Sequence, residues 1–325
     1  MIARRKLLIA LGAGAVTAPW DIAQGQAKVP RIAYLTGRSA PPDPSADAVR
    51  QGLRELGYVE GKNILFEAHY FGDRLDRMPS LVAGIALKAD VIVSPTMAVI
   101  RAAKQATSSV PIVIVLNRDP IAMGLVTSLA RPGGNITGIS RLLQELSSKR
   151  LELLKEAIPG LTRVSILWNE GAQEAAGPND YEAAARFLKI QLQSLGVRGP
   201  SPDLEGAFQA AVNARSGALI IARNFLLLGH SKRIADLAIK HRLPLMCEGS
   251  EELAAGALMS YSENDAASYK RAAVFIDKIL KGAKPNDLPI EQAAEFELVI
   301  NMKTAKAIGL AISKDMLLRA HRVIE

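Results

Sequence analysis

From about Val29 to Tyr261 the chain runs twice through one order of elements. The first pass has apolar strands at Arg31–Leu35, Asn63–Glu67, Asp90–Val93 and Pro111–Val115, then a glycine-rich approach to Asn135–Ser140. The second has strands at Arg163–Leu167, Ile190–Leu192, Ala218–Ile221 and Leu243–Met246, then Ala255–Tyr261. Matching strands lie roughly 120 to 135 residues apart, and helical patterns fill the gaps between them. Strands alternating with helices predict parallel sheets covered on both faces. The expected fold is therefore α/β: two Rossmann-like lobes with parallel sheets, joined by a three-crossing hinge. A cleft between such lobes is a natural place for a small molecule.

Local signals set the expected boundaries. The prolines of Thr36–Ser45 oppose helix there, and Ser45 then reads as the cap of a helix carrying Val49, Leu53 and Leu56 on one face. A helix from Leu142 to Ile158 carries the chain into the second lobe. The long helix Ala266–Lys281, the strand Phe296–Asn301 and the helix Lys303–Ile308 complete the pattern. Lobe one is expected at 28–142 plus 262–283, and lobe two at 143–261 plus 284–325. The crossings then fall near 141–146, 261–264 and 283–290.

Residues 1–27 read as a cleaved signal peptide. Arg4-Arg5-Lys6 is its basic start, and the uncharged core from Leu7 to Ala18 is twelve residues long, too short to span a bilayer. Gly25-Gln26-Ala27 places small residues for cleavage before Lys28, with cleavage after Gly25 as the alternative. The arginine pair also resembles a twin-arginine signal, which leaves the export route open. No cysteine follows the core, which excludes a lipid anchor. Gly12-Ala13-Gly14 precedes any strand, so it is no dinucleotide fingerprint. The expected location is the periplasm of a Gram-negative bacterium.

The net charge is +8 and aromatics make up 5% of the chain. The basic residues are interleaved with acidic ones, and no stripe or stacking surface for nucleic acid appears. Cys247 is the only cysteine, which excludes an internal disulfide and favours an inert buried thiol. His69, His230, His241 and His321 are scattered without metal spacing, and no hydrolase, zincin or phosphate-loop motif is present. Catalytic residues, metal and cofactor are all expected to be none.

Ligands of open parallel sheets meet the carboxyl ends of the strands. That selects Thr36, Ser94 and Thr96, whose hydroxyls either bind ligand or cap helices. The helix start after Pro95 offers free N–H groups to a carboxylate. Asn117 and Asp119 follow the fourth strand, and Asp119 holds a ligand amine or caps the next turn. Asn169, Arg223, Asn224 and Glu248 occupy equivalent ends in lobe two. Arg223 pairs with a ligand carboxylate or with Glu248 in a structural bridge. Phe225 and Tyr261 stack on an aromatic ligand or belong to the core.

Several segments carry a family resemblance: Arg31-Ile32-Ala33-Tyr34-Leu35, the run Gly52–Asn63, Arg131-Pro132-Gly133-Gly134-Asn135-Ile136-Thr137-Gly138, Lys149–Leu154, Phe296–Asn301 and Lys303–Ala307. Together they resemble the ABC-transporter substrate-binding proteins of the tryptophan/tyrosine-binding type. The resemblance covers nearly the whole chain after residue 27. It implies a type I periplasmic-binding fold and a monomeric receptor that captures a small organic ligand, an aromatic amino acid favoured. The receptor would deliver that ligand to an inner-membrane ABC permease with its cytoplasmic ATPase. The rival is a periplasmic enzyme using the same cleft. A transcription regulator of this topology would need a DNA-binding headpiece where the export signal stands.

Overall fold

A computed structural model describes residues 28–72, 77–141, 146–171, 177–292 and 296–325. The signal-peptide reading and the core of the first expected crossing, residues 142–145, lie outside them.

The first pass of the repeat builds one lobe. Its elements are β1 (Arg31–Thr36), α1 (Pro44–Glu55), β2 (Leu65–Tyr70), α2 (Met78–Ala86), β3 (Val91–Ser94), α3 (Met97–Ala106), β4 (Ile112–Leu116) and β5 (Ile136–Ser140). The second pass builds α4 (Ser147–Ala157), β6 (Arg163–Asn169), α5 (Glu182–Leu188), β7 (Gln191–Val197), α6 (Leu204–Asn213), β8 (Ala218–Ile221), α7 (Phe225–Gly229), α8 (Ser231–Lys240), β9 (Leu245–Cys247), α9 (Ser250–Ala255) and β10 (Met259–Ser262). The chain then returns to lobe one as α10 (Asp265–Leu280), which packs along α1, and as β11 (Glu291–Gln292). It ends in lobe two with β12 (Glu297–Asn301), α11 (Met302–Ile308), α12 (Lys314–Arg319) and β13 (Arg322–Ile324).

Two sheets result, ordered β11-β5-β4-β3-β1-β2 and β13-β12-β10-β9-β8-β6-β7. All strand pairs are parallel except β10 with β12. β3 and β4 are buried along their whole length, as continuous apolar strands between two helix layers should be. Each sheet separates two apolar clusters, one per face. In lobe one, Tyr34, Val93 and Val115 face α1 and α10, while Leu35, Ile92 and Ile114 face α2 and α3.

Several boundaries differ from expectation. Asp43, not Ser45, caps α1, accepting from the N–H groups of Ser45 and Ala46 at 3.0 and 3.3 Å. Pro44 fits the first helical turn because its missing N–H would have no partner there anyway. Residues 291–292 pair with β5, so the third crossing comes after Gln292 and not at 283–290. A two-residue strand carries no periodic pattern to announce it. The fold also continues past Ile308: α12 leads to β13, which closes the edge beside β12.

Candidate functional site

The loops after β1, β3, β4 and β5 face those after β6, β8, β9 and β10, and side chains meet between them. Arg38, after β1, reaches across to α9, where its Nη1 donates to both carboxylate oxygens of Glu251 at 3.0 and 3.2 Å. Arg118, after β4, meets Asp180 of lobe two at 3.2 Å. A Cβ placed on Gly37 would lie 3.0 Å from Phe225 Cδ2 and 3.1 Å from Thr96 Cγ2. The absent side chain thus lets the two lobes touch, and the cleft is closed.

Behind these contacts lies a buried ionic network. Asp265, the first residue of α10, accepts two hydrogen bonds from Arg223 Nη1 at 2.8 and 2.9 Å. It also accepts from Arg141, which is 1% exposed, and from Ser250 Oγ at 3.2 Å. Burial alone would raise the Asp265 carboxyl, but Arg141 and Arg223 outweigh burial and hold it well below the usual carboxylate range. Arg141 also bonds Glu263 at 3.1 Å. The crossing at 262–264 is therefore flanked by fixed charges that join the two lobes.

Glu252, beside Glu251, turns the other way. It is 1% exposed, and neither of its oxygens has a hydrogen-bond partner among the described residues. Burial pushes its carboxyl up to about 7, against the pull of Arg223, whose Nε lies 4.0 Å away. Gly249 makes room for this arrangement: a Cβ there would come within 2.4 Å of Arg223 Nη1.

The eleven expected residues fall into distinct groups. Thr36 and Ser94 are fully buried, and each accepts from a backbone N–H two residues on, Arg38 at 3.3 Å and Thr96 at 3.1 Å. Asp119 and Asn169 accept from Ile121 and Gly171 in tight turns, at 2.8 and 2.9 Å. Asn224 caps α7 through Leu227 at 3.0 Å. Thr96 stands at the start of α3 without capping it; its hydroxyl accepts from Gly37 N–H at 2.8 Å and pins the β1 loop to that helix.

The structural bridge expected between the Arg223 side chain and Glu248 is not formed. The Arg223 guanidinium belongs to Asp265, and Glu248 accepts only from its backbone N–H, at 3.1 Å. Glu248 is consumed inside lobe two by Arg150 at 3.1 Å and the Tyr181 hydroxyl at 2.6 Å. Tyr261 lies at the edge of the lobe-two core with its ring 6.2 Å from that of Phe296. Asn117 Oδ1 is buried and has no hydrogen-bond partner among the described residues.

Strand-end reasoning passed over Arg38, Glu251 and Asp265. Arg38 follows β1 directly and satisfied the same rule as Thr36. Cys247 is buried as expected, and burial pushes its thiol well up, which disfavours the thiolate.

A sequence model of the family described as ABC transporter substrate binding protein matches residues 42–324. Over 283 residues the chain is 24% identical to a tyrosine-binding protein of Clostridioides difficile, covering 82% of this chain and 78% of that protein. A structure from Streptococcus pneumonia in complex with L-Trp superposes with a TM-score of 0.80 at 21% identity, over 91% of this chain and 99% of the other. The ligand-free, open structure of a substrate binding protein with adhesive properties from Clostridium difficile gives 0.62, at the same identity and coverage.

Proposed function

The chain belongs to the ABC transporter substrate binding protein family, and from that premise we propose that it is an exported receptor for an amino acid, aromatic side chains favoured. The receptor works in the periplasm as a monomer. It takes the amino acid into the interlobe cleft and presents the closed form to an ABC permease with its ATPase. The observation that carries this reading is the convergence of strand-end loops from both lobes, sealed by Arg38 on Glu251 and by Phe225 against Gly37. A ligand shifts such a protein toward closure only by contacting both halves, and this cleft has polar groups on each and the aromatic ring of Phe225 on lobe two.

Within it, Asn117 Oδ1 is an acceptor for a ligand donor, and Phe225 supplies an aromatic wall. The names of the relatives support an aromatic amino acid: one is a tyrosine-binding protein and another holds L-Trp. Among the described residues no helix is long and apolar enough to cross a membrane. Export with cleavage before Lys28 follows from the signal-peptide reading of residues 1–27.

Titration calorimetry with L-tyrosine, L-tryptophan, L-phenylalanine and L-leucine tests the proposal. An aromatic member should bind with a dissociation constant on the order of micromolar, about −8 kcal/mol. Chromatography of the recovered ligand separates this reading from the enzyme. A chemically altered ligand, or no heat with any L-amino acid, would sink it.

A further inference from the structure

Arg38 and Glu251 differ from the more deeply buried ion pairs of the cleft in where they stand. Arg150 and Glu248 both belong to lobe two, and the bonds of Arg141 and Arg223 to Asp265 gather at the crossing. Arg38 lies in the β1 loop of lobe one and Glu251 on α9 of lobe two, 213 residues away in sequence. Both side chains remain partly open to solvent, 16% for Arg38 and 22% for Glu251. Water already reaches both charges, so separating this pair costs less than separating the more deeply buried ones.

We propose that Arg38 and Glu251 are the two halves of a zwitterion subsite, Arg38 for the carboxylate and Glu251 for the ammonium of a bound α-amino acid. The proposal rests on the amino-acid reading above. Inserting the head group replaces one interlobe ion pair with two charge-assisted contacts, one on each lobe. In the liganded form each guanidinium and carboxylate again faces an opposite charge.

The surroundings favour each assignment. The loop carrying Arg38 is pinned to the start of α3 by the Gly37–Thr96 bond, and α3 begins without a side-chain cap. The backbone beside Arg38 is therefore held at the positive end of a ten-residue helix, which favours a carboxylate over an ammonium on this side. On the other side, Arg223 Nη2 stands 3.5 Å from Glu251 Oε1. That second contact keeps Glu251 oriented toward the cleft when Arg38 turns to the ligand. Since one charge comes from each lobe, the intact head group binds the closed state in a way that neither half of it does. That gives the ligand the differential affinity closure requires.

Calorimetry with L-tryptophan, tryptamine and indole-3-propionate tests the assignment, the last two lacking the carboxylate and the ammonium respectively. For the unaltered protein, each analogue should bind at least about tenfold more weakly than L-tryptophan. Arg38→Gln should weaken L-tryptophan by a similar factor while changing tryptamine by less than about threefold. Glu251→Gln should do the same while sparing indole-3-propionate. Melting temperatures confirm that both variants are folded. Should either fail to fold, the ranking of the three ligands on the unaltered protein decides. Variants that bind L-tryptophan like the unaltered protein, or analogues that match it, overturn the subsite and leave the receptor reading standing. No binding of L-tryptophan or any other amino acid overturns both.

Discussion

Glu252 carries a buried carboxyl that no hydrogen bond satisfies among the described residues. The ionisable groups facing it are Arg223 after β8, Asp265 on α10, Cys247 on β9 and Glu251 on its own helix. Burial raises its pKa from 4.5 to about 7. The folded state therefore holds this proton more tightly than the unfolded chain does. Stability falls as pH rises from about 4.5 to 7, and the full loss is present above that window. Asp265 works oppositely, since its carboxyl is depressed. Its contribution is present above its ordinary pKa of 3.8 and is lost only in stronger acid, so the two windows do not overlap. Glu252→Gln should leave urea stability at pH 5 nearly unchanged and raise it at pH 8 by on the order of 2 kcal/mol. Parallel pH–stability curves for the two proteins would show that Glu252 does not titrate in this window.

The α1–α10 pair decides how lobe one presents its share of the hinge. At Gly52 the helices come so close that a Cβ would lie 2.7 Å from the Lys270 carbonyl oxygen and 2.8 Å from Ala273 Cβ. The side of α10 against α1 is apolar and buried through Ala272, Ala273 and Ile276, and Lys270 bonds Glu55 at 2.7 Å beside it. The same helix starts with Asp265, the acceptor of Arg141 and Arg223, one residue after its cap Asn264. Gly52→Leu should push α10 outward and destabilise lobe one by about 2 kcal/mol or more. Because Asp265 moves with the helix, ligand affinity should fall too. A urea midpoint equal to that of the unaltered protein would show that the helices separate without strain.

At the scale of the whole molecule, the two lobes meet closely at Gly37. Gly37→Val adds branches where a Cβ alone already stands 3.0 Å from Phe225. Its effect should appear in lobe orientation and not in either core, since Gly37 lies in a loop between the lobes. Small-angle scattering of the unaltered protein should show compaction on adding its amino acid. Gly37→Val should compact less at the same saturation, bind at least about tenfold more weakly, and keep its melting temperature within a few degrees. Equal compaction in both proteins would mean that closure does not use this contact.

Strand and helix order were legible in the residues because periodicity is a local property. β3 and β4 announced themselves as short apolar runs, and the strand-end rule selects the loops holding Thr96, Asn117 and Phe225, which the fold brings to the interlobe face. The cap of α1 was within reach as well, since Asp43-Pro44 is a recognisable helix start. Partner choice was not. The strand-end rule sets Arg223 beside Glu248, 25 residues away, yet its guanidinium goes to Asp265 at 42, and Arg38 finds Glu251 at 213. A charged side chain carries no record of which carboxylate it will meet. That is settled when two sheets, a returning α10 and a one-dipeptide β11 bring distant loops to one cleft. Local chemistry wrote the elements and the strand-end loops; only the packing of one lobe against the other assigned their charges to each other.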